Sequence, residues 1–145
     1  VTLTTGRVLA QYQSGAQTRR IRDLPDDGPF VELHPMLAGR CGVVDGEPVR
    51  LTTRRGSMVA PARVVSTIRP DTVFVPFHWV GANLLTNDAL DPASRMPEFK
   101  ACAVQVSTPT RREFTPQPSP TRREYTSQPP PTRRELTSDT PRRLV

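Results

Sequence analysis

The opening segment of the chain concentrates residue types that bind phosphate. Residues 3–20 read LTTGRVLAQYQSGAQTRR, so two glycines lie among hydroxyl, amide and guanidinium side chains. Glycine lets the backbone approach a ligand closely, and a guanidinium group matches phosphate oxygens with two parallel hydrogen bonds. Each charge-assisted hydrogen bond contributes about 1.5–3 kcal/mol, so three or four would hold a diphosphate firmly. The pattern predicts a ligand-binding loop, although a hairpin with a solvated basic face has the same composition.

Charge is unevenly distributed along the 145 residues. The chain carries 20 basic and 14 acidic residues, yet residues 107–145 alone hold eight Arg against four acidic side chains. Residues 1–106 keep a net charge of only +2. Because most of the basic excess belongs to the C-terminal part, the total charge is no ground for expecting a nucleic-acid partner, and we expect none.

The two cysteines, Cys41 and Cys102, are far apart and form no Cys-x-x-Cys pair. This excludes a zinc ribbon or an iron–sulfur cluster held by this chain alone, so we expect no metal site. A reduced, cytoplasmic compartment fits this cysteine usage. No apolar run approaches the roughly 20 residues of a membrane span, and we expect no membrane partner. The chain begins with Val inside a strand-like pattern, from which we expect a fragment or a trimmed domain.

The elements that would position the loop are predicted to be short β-strands. The first lies at the start of the chain, and others are predicted at residues 30–34, 49–53, 73–77 and 100–106, with a strand pair interrupted by Pro61 within residues 58–68. Residues 36–42 predict one short helical turn after Pro35. Many short strands at spacings of about 8–12 residues predict a mainly β fold, a small closed barrel with short helical turns.

The C-terminal part, residues 107–145, repeats one motif three times. Pro-Thr-Arg-Arg-Glu, an apolar residue and Thr recur from residues 109, 120 and 131, a period of 11. Eight prolines among these 39 residues exclude a continuous helix. Isolated apolar residues bury too little surface to offset the entropy of ordering, so we predict a disordered tail. Two readings stay open: a tandem expansion without a role, and a basic docking segment.

Three segments together resemble a known family. They are the opening stretch 3–20, the middle stretch 35–56 with GVVDGEPV leading to RRG, and residues 73–100 with VFVPFHW, NLLT, DP and PEFK. In order and spacing, residues 1–106 resemble the C-terminal dinucleotide-binding domain of the bacterial molybdopterin oxidoreductases, the assimilatory nitrate reductase and formate dehydrogenase family. The resemblance implies a double-psi β-barrel. It also implies a molybdenum bis-(molybdopterin guanine dinucleotide) cofactor.

The resemblance carries cofactor contacts onto matching positions of this chain. Residues 5–7 would meet the phosphate or pterin, residues 13–18 would line the second half of the cradle, and Arg19 would reach an anionic or carbonyl edge. Residues 78–83 would contact the ligand from the opposite loop, and Lys100 would offer an ammonium donor. The cofactor-binding residues expected on this basis are Thr5, Gly6, Arg7, Gln13, Ser14, Gly15, Thr18, Arg19, His78, Trp79, Asn83 and Lys100.

The resemblance also sets expectations about the whole protein. The Gln13-Ser14-Gly15 version of the loop looks closer to the nitrate reductases than to their relatives. The metal ligand, the iron–sulfur cysteines and the substrate funnel of that family lie in N-terminal domains, which are the expected partners, so this chain alone should not turn over substrate. The alternative is a non-catalytic remnant or interaction module with a basic docking tail. Self-cleavage at Gly56-Ser57 to a pyruvoyl group is disfavoured, because the flanking residues fit the molybdenum family throughout.

Overall fold

The computed structural model describes residues 1–98 and 100–110. These residues belong to one compact unit, Val1–Thr115. Of the tail predicted to be disordered, residues 111–145 lie outside the described residues, whereas Ser107 ends the last strand. Seven strands form one mixed sheet in the order β6-β1-β5-β2-β4-β3-β7. The strands are β1 (Thr2–Gly6), β2 (Val31–Leu33), β3 (Pro48–Thr52), β4 (Ser57–Val64), β5 (Thr72–Pro76), β6 (Ala101–Ala103) and β7 (Gln105–Ser107), and the α-helices are α1 (Pro35–Cys41) and α2 (Ala82–Leu85). The prediction of a mainly β fold is confirmed.

The core of the sheet follows the alternation of the sequence. Successive side chains of a strand point to opposite faces, so every second residue can be buried. Val49 and Leu51 of β3 and Val73 and Val75 of β5 are almost completely buried on this pattern. They pack in one cluster with residues from the other long strands and both helices. The strands that carry the site are therefore anchored by apolar contacts along their whole length.

Parallel pairing brings the carboxyl ends of β1 and β5 to the same edge of the sheet. The register runs from Thr2 opposite Thr72 to Gly6 opposite Pro76. The amide of Phe77 donates to the carbonyl of Gly6 at 3.1 Å, which continues the pairing beyond both strands. As a result, the residues that follow Gly6 and those that follow Pro76 leave the sheet side by side.

The two edges of the sheet are formed by consecutive residues of the chain. β6 pairs with β1 at one edge, β7 pairs with β3 at the other, and Val104 alone separates the two short strands. A sheet with this connection must curl until its edges approach each other. The prediction of a single last strand over residues 100–106 is wrong, because the chain changes edges at Val104, which is buried.

Pro61 does not interrupt β4, contrary to the prediction of a strand pair within residues 58–68. The amide of Ala62 donates to the carbonyl of Glu47 on the side of β3. Amides alternate sides along a strand, so position 61 faces β2, whose pairing with β4 begins only at Ala62. A missing N–H at position 61 therefore costs no ladder bond, and proline is tolerated there.

Proline begins the first helix instead of only ending the strand before it. Pro35 occupies the first helical position, where its fixed φ suits a helix and its missing N–H has no intrahelical partner to lose. His34 caps this end, since its Nδ1 accepts from the Met36 amide at 3.1 Å. The helix ends at Gly42, whose φ of 65° is left-handed. It is longer than the single turn predicted at residues 36–42, and α2 lies in a segment predicted as loop. No helix among the described residues has the length and apolar character needed to cross a bilayer.

Candidate functional site

A cleft opens where the chain leaves β1 and β5. It has a volume of about 380 Å³ and combines two guanidinium groups, one carboxylate and the indole of Trp79. Its lining residues are Arg7, Val8, Leu9, Ala10, Gln11, Pro25, Asp27, Arg63 and Trp79. A surface with cations, backbone and an aromatic face suits a ligand that carries phosphate and a planar ring.

The first loop, residues 7–20, is folded by a polar network around Thr18. The Thr18 hydroxyl donates to Gln11 Oε1 at 2.7 Å and accepts from the Tyr12 amide at 3.3 Å. Gln11 is only 5% exposed, and its amide nitrogen donates to the Pro25 carbonyl at 3.1 Å. A buried amide with both ends bonded fixes the backbone around it. The loop is therefore held in one conformation by its own side chains.

Gly15 is required at its position by both backbone and space. Its φ of +73° is left-handed, and an added Cβ would lie 2.8 Å from Arg19 Cζ and 2.9 Å from Gln11 Oε1. Gln13, two residues earlier, also has a positive φ, of 49°. Real side chains do not tolerate such distances, so only glycine lets Gln11 and Arg19 close over the turn.

Arg19 joins the first loop to the end of β5. Its Nη2 donates to the Ser14 carbonyl at 2.7 Å, and its Nη1 donates to the His78 carbonyl at 3.3 Å. The guanidinium also lies 5.7 Å from the centre of the Trp79 ring. The sequence predicted that Arg19 reaches an anionic or carbonyl edge. The structure gives it two carbonyl partners within the protein itself.

His78 is the most buried polar residue of the site, with 2% of its surface exposed. Its Nε2 accepts from the Val8 amide at 3.0 Å, and its Nδ1 bonds to the Gln13 carbonyl. Trp79 packs edge-on against this ring, with ring centres 5.8 Å apart. The indole of Trp79, unlike the imidazole, lines the cleft and offers its surface to a ligand.

Thr5, Gly6 and Arg7 lie where β1 ends. Thr5 is buried, and a Cβ on Gly6 would lie 2.8 Å from the Phe74 ring, which explains a small residue there. The guanidinium of Arg7 lies 5.1 Å from the centre of the Phe77 ring. The side chain of Arg7 is exposed, and Arg7 is one of the residues that line the cleft.

Of the twelve predicted site residues, Arg7 and Trp79 line the cleft, and Asn83 and Lys100 lie neither in its lining nor in the first loop. Asn83 is exposed on α2, where its carbonyl accepts from Thr86 and its side chain bonds to no described residue. Lys100 is also exposed, just before β6. The structure therefore joins ten of the twelve predicted positions, residues 5–19 with His78 and Trp79, around one junction.

A hairpin arginine holds the helix that carries Asn83. Arg55 is exposed, and its guanidinium donates to the Leu85 carbonyl at 3.0 Å and to Asn87 Oδ1 at 3.3 Å. Gly56 follows, and a Cβ there would lie 3.0 Å from the Leu84 carbonyl. The turn between β3 and β4 is therefore packed against α2.

Sequence reasoning missed three polar lining residues, Gln11, Asp27 and Arg63. Arg63 stacks on the Phe30 ring at 3.8 Å and lies 3.6 Å from Asp27 and 3.9 Å from Glu32. Nothing in the ordinary alternation of β4 marks it, because its neighbours at the cleft come from residues more than 30 positions away. Gln11 could have been found from its spacing to Thr18 within the loop. Across residues 1–98 and 100–110, no group of three His, Cys, Asp or Glu side chains could hold a metal ion.

Comparison with solved structures agrees with the fold. Over 74% of this chain, the structure superimposes on 18% of acetylene hydratase from Pelobacter acetylenicus, with a TM-score of 0.59 and 17% sequence identity. At this identity the likeness concerns the fold alone.

Sequence comparison identifies the family. The model of the molydopterin dinucleotide binding domain matches residues 1–103, and the chain belongs to this family. The chain is 42% identical over 110 residues to the F420-dependent formate dehydrogenase 1 subunit alpha of Methanococcus maripaludis, covering 73% of this chain and 16% of that protein. It is 43% identical over 109 residues to the assimilatory nitrate reductase catalytic subunit of Bacillus subtilis, covering 72% of this chain and 15% of that protein. The family predicted from the three segments is confirmed, and the chain spans about one sixth of the length of these relatives.

Proposed function

We propose that this domain caps the molybdenum bis-(molybdopterin guanine dinucleotide) cofactor of a molybdenum oxidoreductase. We propose that the substrate of the whole enzyme is nitrate. The observation that carries the proposal is the convergence of residues 7–11 with Trp79 around the cleft, at the edge where β1 and β5 end side by side. The family supports a molybdopterin dinucleotide as the ligand. The Gln13-Ser14-Gly15 turn favours the nitrate branch, and a nitrate reductase is among the similar proteins.

The residues of the cleft fit such a ligand. Arg7 and Arg63 supply guanidinium donors for a diphosphate, and Trp79 supplies a planar apolar surface for a ring. The absence of a Cβ at Gly15 lets the loop close without a side chain between Arg19 and Gln11. The bound cofactor supplies the redox-active metal, while this chain supplies binding and orientation. Fixed donors would hold the dinucleotide arm and thereby the position of the pterin.

Asn83 and Lys100 are part of this proposal although they lie outside the cleft lining. Both are exposed, so each is accessible to a ligand larger than a cleft of about 380 Å³. A dinucleotide that fills the cleft would extend beyond it along the surface, and we propose that it reaches Asn83 and Lys100. Arg55 holds α2 and thus the position of Asn83.

Four further expectations complete the proposal. The curled sheet has double-psi connectivity, which the parallel pairs β1 with β5 and β2 with β4 support. The domain acts with N-terminal domains that hold the metal and an iron–sulfur cluster, supported by the small share of each relative that it matches. The protein is cytoplasmic, on the ground of its two unpaired cysteines. It does not turn over substrate alone.

Hydrogen exchange of the 145-residue chain with guanosine diphosphate tests the proposal. This probe carries the guanine and diphosphate of the dinucleotide, and we expect protection of amides in residues 6–15. Loss of two charge-assisted hydrogen bonds in Arg7→Ala should weaken binding about tenfold or more. Arg54→Ala, on the hairpin away from the cleft, is the matched control and should bind normally. Asn83→Ala tests the extension to α2.

The outcomes separate this function from its alternative. Protection by guanosine diphosphate that exceeds protection by inorganic pyrophosphate supports recognition of the nucleotide. No protection at millimolar concentrations contradicts the proposal. An interaction module with a basic docking tail would show no protection, and its phenotype would be confined to deletion of residues 107–145.

A further inference from the structure

The imidazole of His78 joins the end of β5 to two points of the first loop, which lie 65 and 70 positions away in sequence. It follows β5 directly, it is 2% exposed, and its two nitrogens bond to the backbone at Val8 and Gln13. Its own carbonyl accepts from Arg19 at 3.3 Å. The first loop is therefore attached to the end of β5 near its start at Val8, in its middle at Gln13 and in its last turn at Arg19.

The partners of the ring define its protonation state. The Val8 amide can only donate and the Gln13 carbonyl can only accept, so Nε2 carries no proton and Nδ1 carries one. This is one neutral tautomer of histidine. An imidazolium has a donor at both nitrogens, so it would place an N–H against the N–H of Val8 and break that hydrogen bond.

The charged side chains around the ring offer no hydrogen-bond acceptor to a second N–H of the imidazole. The charged groups brought to this junction are Arg19, from the 3₁₀ helix Thr18–Arg20, and Arg7, which follows β1 and lies over Phe77. Both are cations. The remaining neighbours are the rings of Phe77 and Trp79, at 4.9 and 5.8 Å between centres. Among the described residues, no carboxylate is hydrogen-bonded to His78.

We propose that His78 is a positioning residue that latches the first loop to β5 in its neutral Nδ1–H form, and that protonation of the ring releases the loop. The ring acts through the backbone of Val8 and Gln13 and does not itself contact the ligand. The inference rests on the proposed function only for the identity of that ligand, an anionic dinucleotide. It assigns to His78 a role different from that of Arg7 and Trp79, which face the cleft.

The latch and simple electrostatics predict opposite effects of acid on anion binding. An added positive charge near the cleft would strengthen binding of a phosphate as the pH falls. Release of the loop would weaken it, because the loop must then be reordered when the ligand binds. The sign of the pH dependence of anion binding therefore distinguishes the two.

Nuclear magnetic resonance of the wild-type 145-residue chain without ligand tests the latch directly. Long-range ¹⁵N–¹H correlations should show the Nδ1–H tautomer for His78. Amide exchange at Val8, corrected for its intrinsic pH dependence, should be roughly tenfold faster in the protonated form of the ring, the effect of losing one hydrogen bond. An Nε2–H tautomer, or a Val8 amide whose protection is unchanged across the titration, would overturn the proposal.

Two variants add a matched control. In His78→Gln the pH step of the first loop should disappear, while in His34→Asn it should remain, since Asn keeps the cap acceptor of α1. These are the two histidines of the chain, so no third imidazole complicates the comparison. If His78→Gln does not fold, the wild-type tautomer and exchange data still decide the question.

A final measurement separates this inference from the proposed function. Binding of guanosine diphosphate to the wild type should weaken several-fold from pH 8 to pH 5, with no such change in His78→Gln. Binding that strengthens with acid contradicts the latch and leaves the function standing. An absence of binding at every pH contradicts the function, and the tautomer and Val8 exchange then still report on the latch.

Discussion

Two irregular segments of the molecule are held in different ways. The first loop, residues 7–20, is tied to the end of β5 by hydrogen bonds that span 59 to 70 positions of sequence. The second segment, residues 86–98, is held by local bonds around Asp91, by the bridge between Leu90 and Pro97 and by a bond from Asn87 to Glu98. Nearly all of the second segment is exposed. A loop without a core can thus be fixed when buried polar side chains bind its backbone to a distant strand.

The largest effect is expected at the crowded glycine of the first loop. Gly15→Ala places a side chain in the left-handed region and against Arg19 and Gln11. Backbone strain and overpacking together should lower the free energy of unfolding by about 3 kcal/mol. Urea titration followed by Trp79 fluorescence measures this change.

Gly28→Ala provides the control for that measurement. Gly28 has a similar φ of +70°, but nothing lies within 4 Å of its added Cβ. Only the backbone strain remains, about 1–2 kcal/mol. Equal losses in the two variants would mean that Arg19 moves aside without cost, and the first loop would then be no more tightly held than an open turn.

Arg19→Ala should have the second largest effect, since it removes two bonds to the carbonyls of Ser14 and His78. We expect about 1.5 kcal/mol in the free energy of unfolding, at the lower end for charged hydrogen bonds because the side chain is half-exposed. Arg20→Ala, in the same 3₁₀ helix, should change little. Equal free energies of unfolding for Arg19→Ala and Arg20→Ala would show that the first loop does not depend on Arg19.

Arg55→Gln tests the attachment of the second segment to the rest of the fold. Its bonds to the Leu85 carbonyl and Asn87 lie in an exposed region, so we expect a loss of only about 1 kcal/mol. Amide exchange should accelerate in α2 while the first loop stays protected. Arg54→Gln serves as the control. Faster exchange in both regions would mean that the two segments are coupled.

The smallest effect is expected from the pH dependence of Asp91. Hydrogen bonds from the Ser94 amide, the Ser94 hydroxyl and the Ala93 amide hold the pKa of this carboxyl below its usual value. A lowered pKa means that the turn is stabilised at neutral pH and loses this stabilisation as the pH falls below about 4. Amide chemical shifts of Ser94 should follow that titration. Asp91→Asn retains the acceptor and should show no pH step, whereas a step that persists would contradict this assignment.

Much of the fold follows from the sequence, because alternation marks the strands. Val49 and Leu51 alternate with polar residues in the strand predicted at residues 49–53, and both are fully buried. Pro61 was misleading, since its effect depends on whether β2 pairs at that position, which is a property of the register. Val104 was missed as a change of sheet edge for the same reason. Pairing partners distant in sequence leave no local signal.

In the candidate site, too, contacts within one loop could be predicted from the sequence, whereas contacts between distant segments could not. Gly15 and Thr18 could be predicted because their partners lie within the same loop. The burial of the His78 ring could not, because it depends on the parallel register of β1 and β5, which sets Val8 beside it. Arg63 contacts Phe30 and Asp27 for a similar reason and had no sequence signal.

The change of sheet edge at Val104 also protects the domain against self-association through its strands. Unpaired strand edges recruit other chains, and here β1 and β3 are each covered by three residues from one short stretch of backbone. A single cut or kink near residue 104 would uncover both at once. Protection of both of these strands is thus concentrated in seven consecutive residues, 101–107.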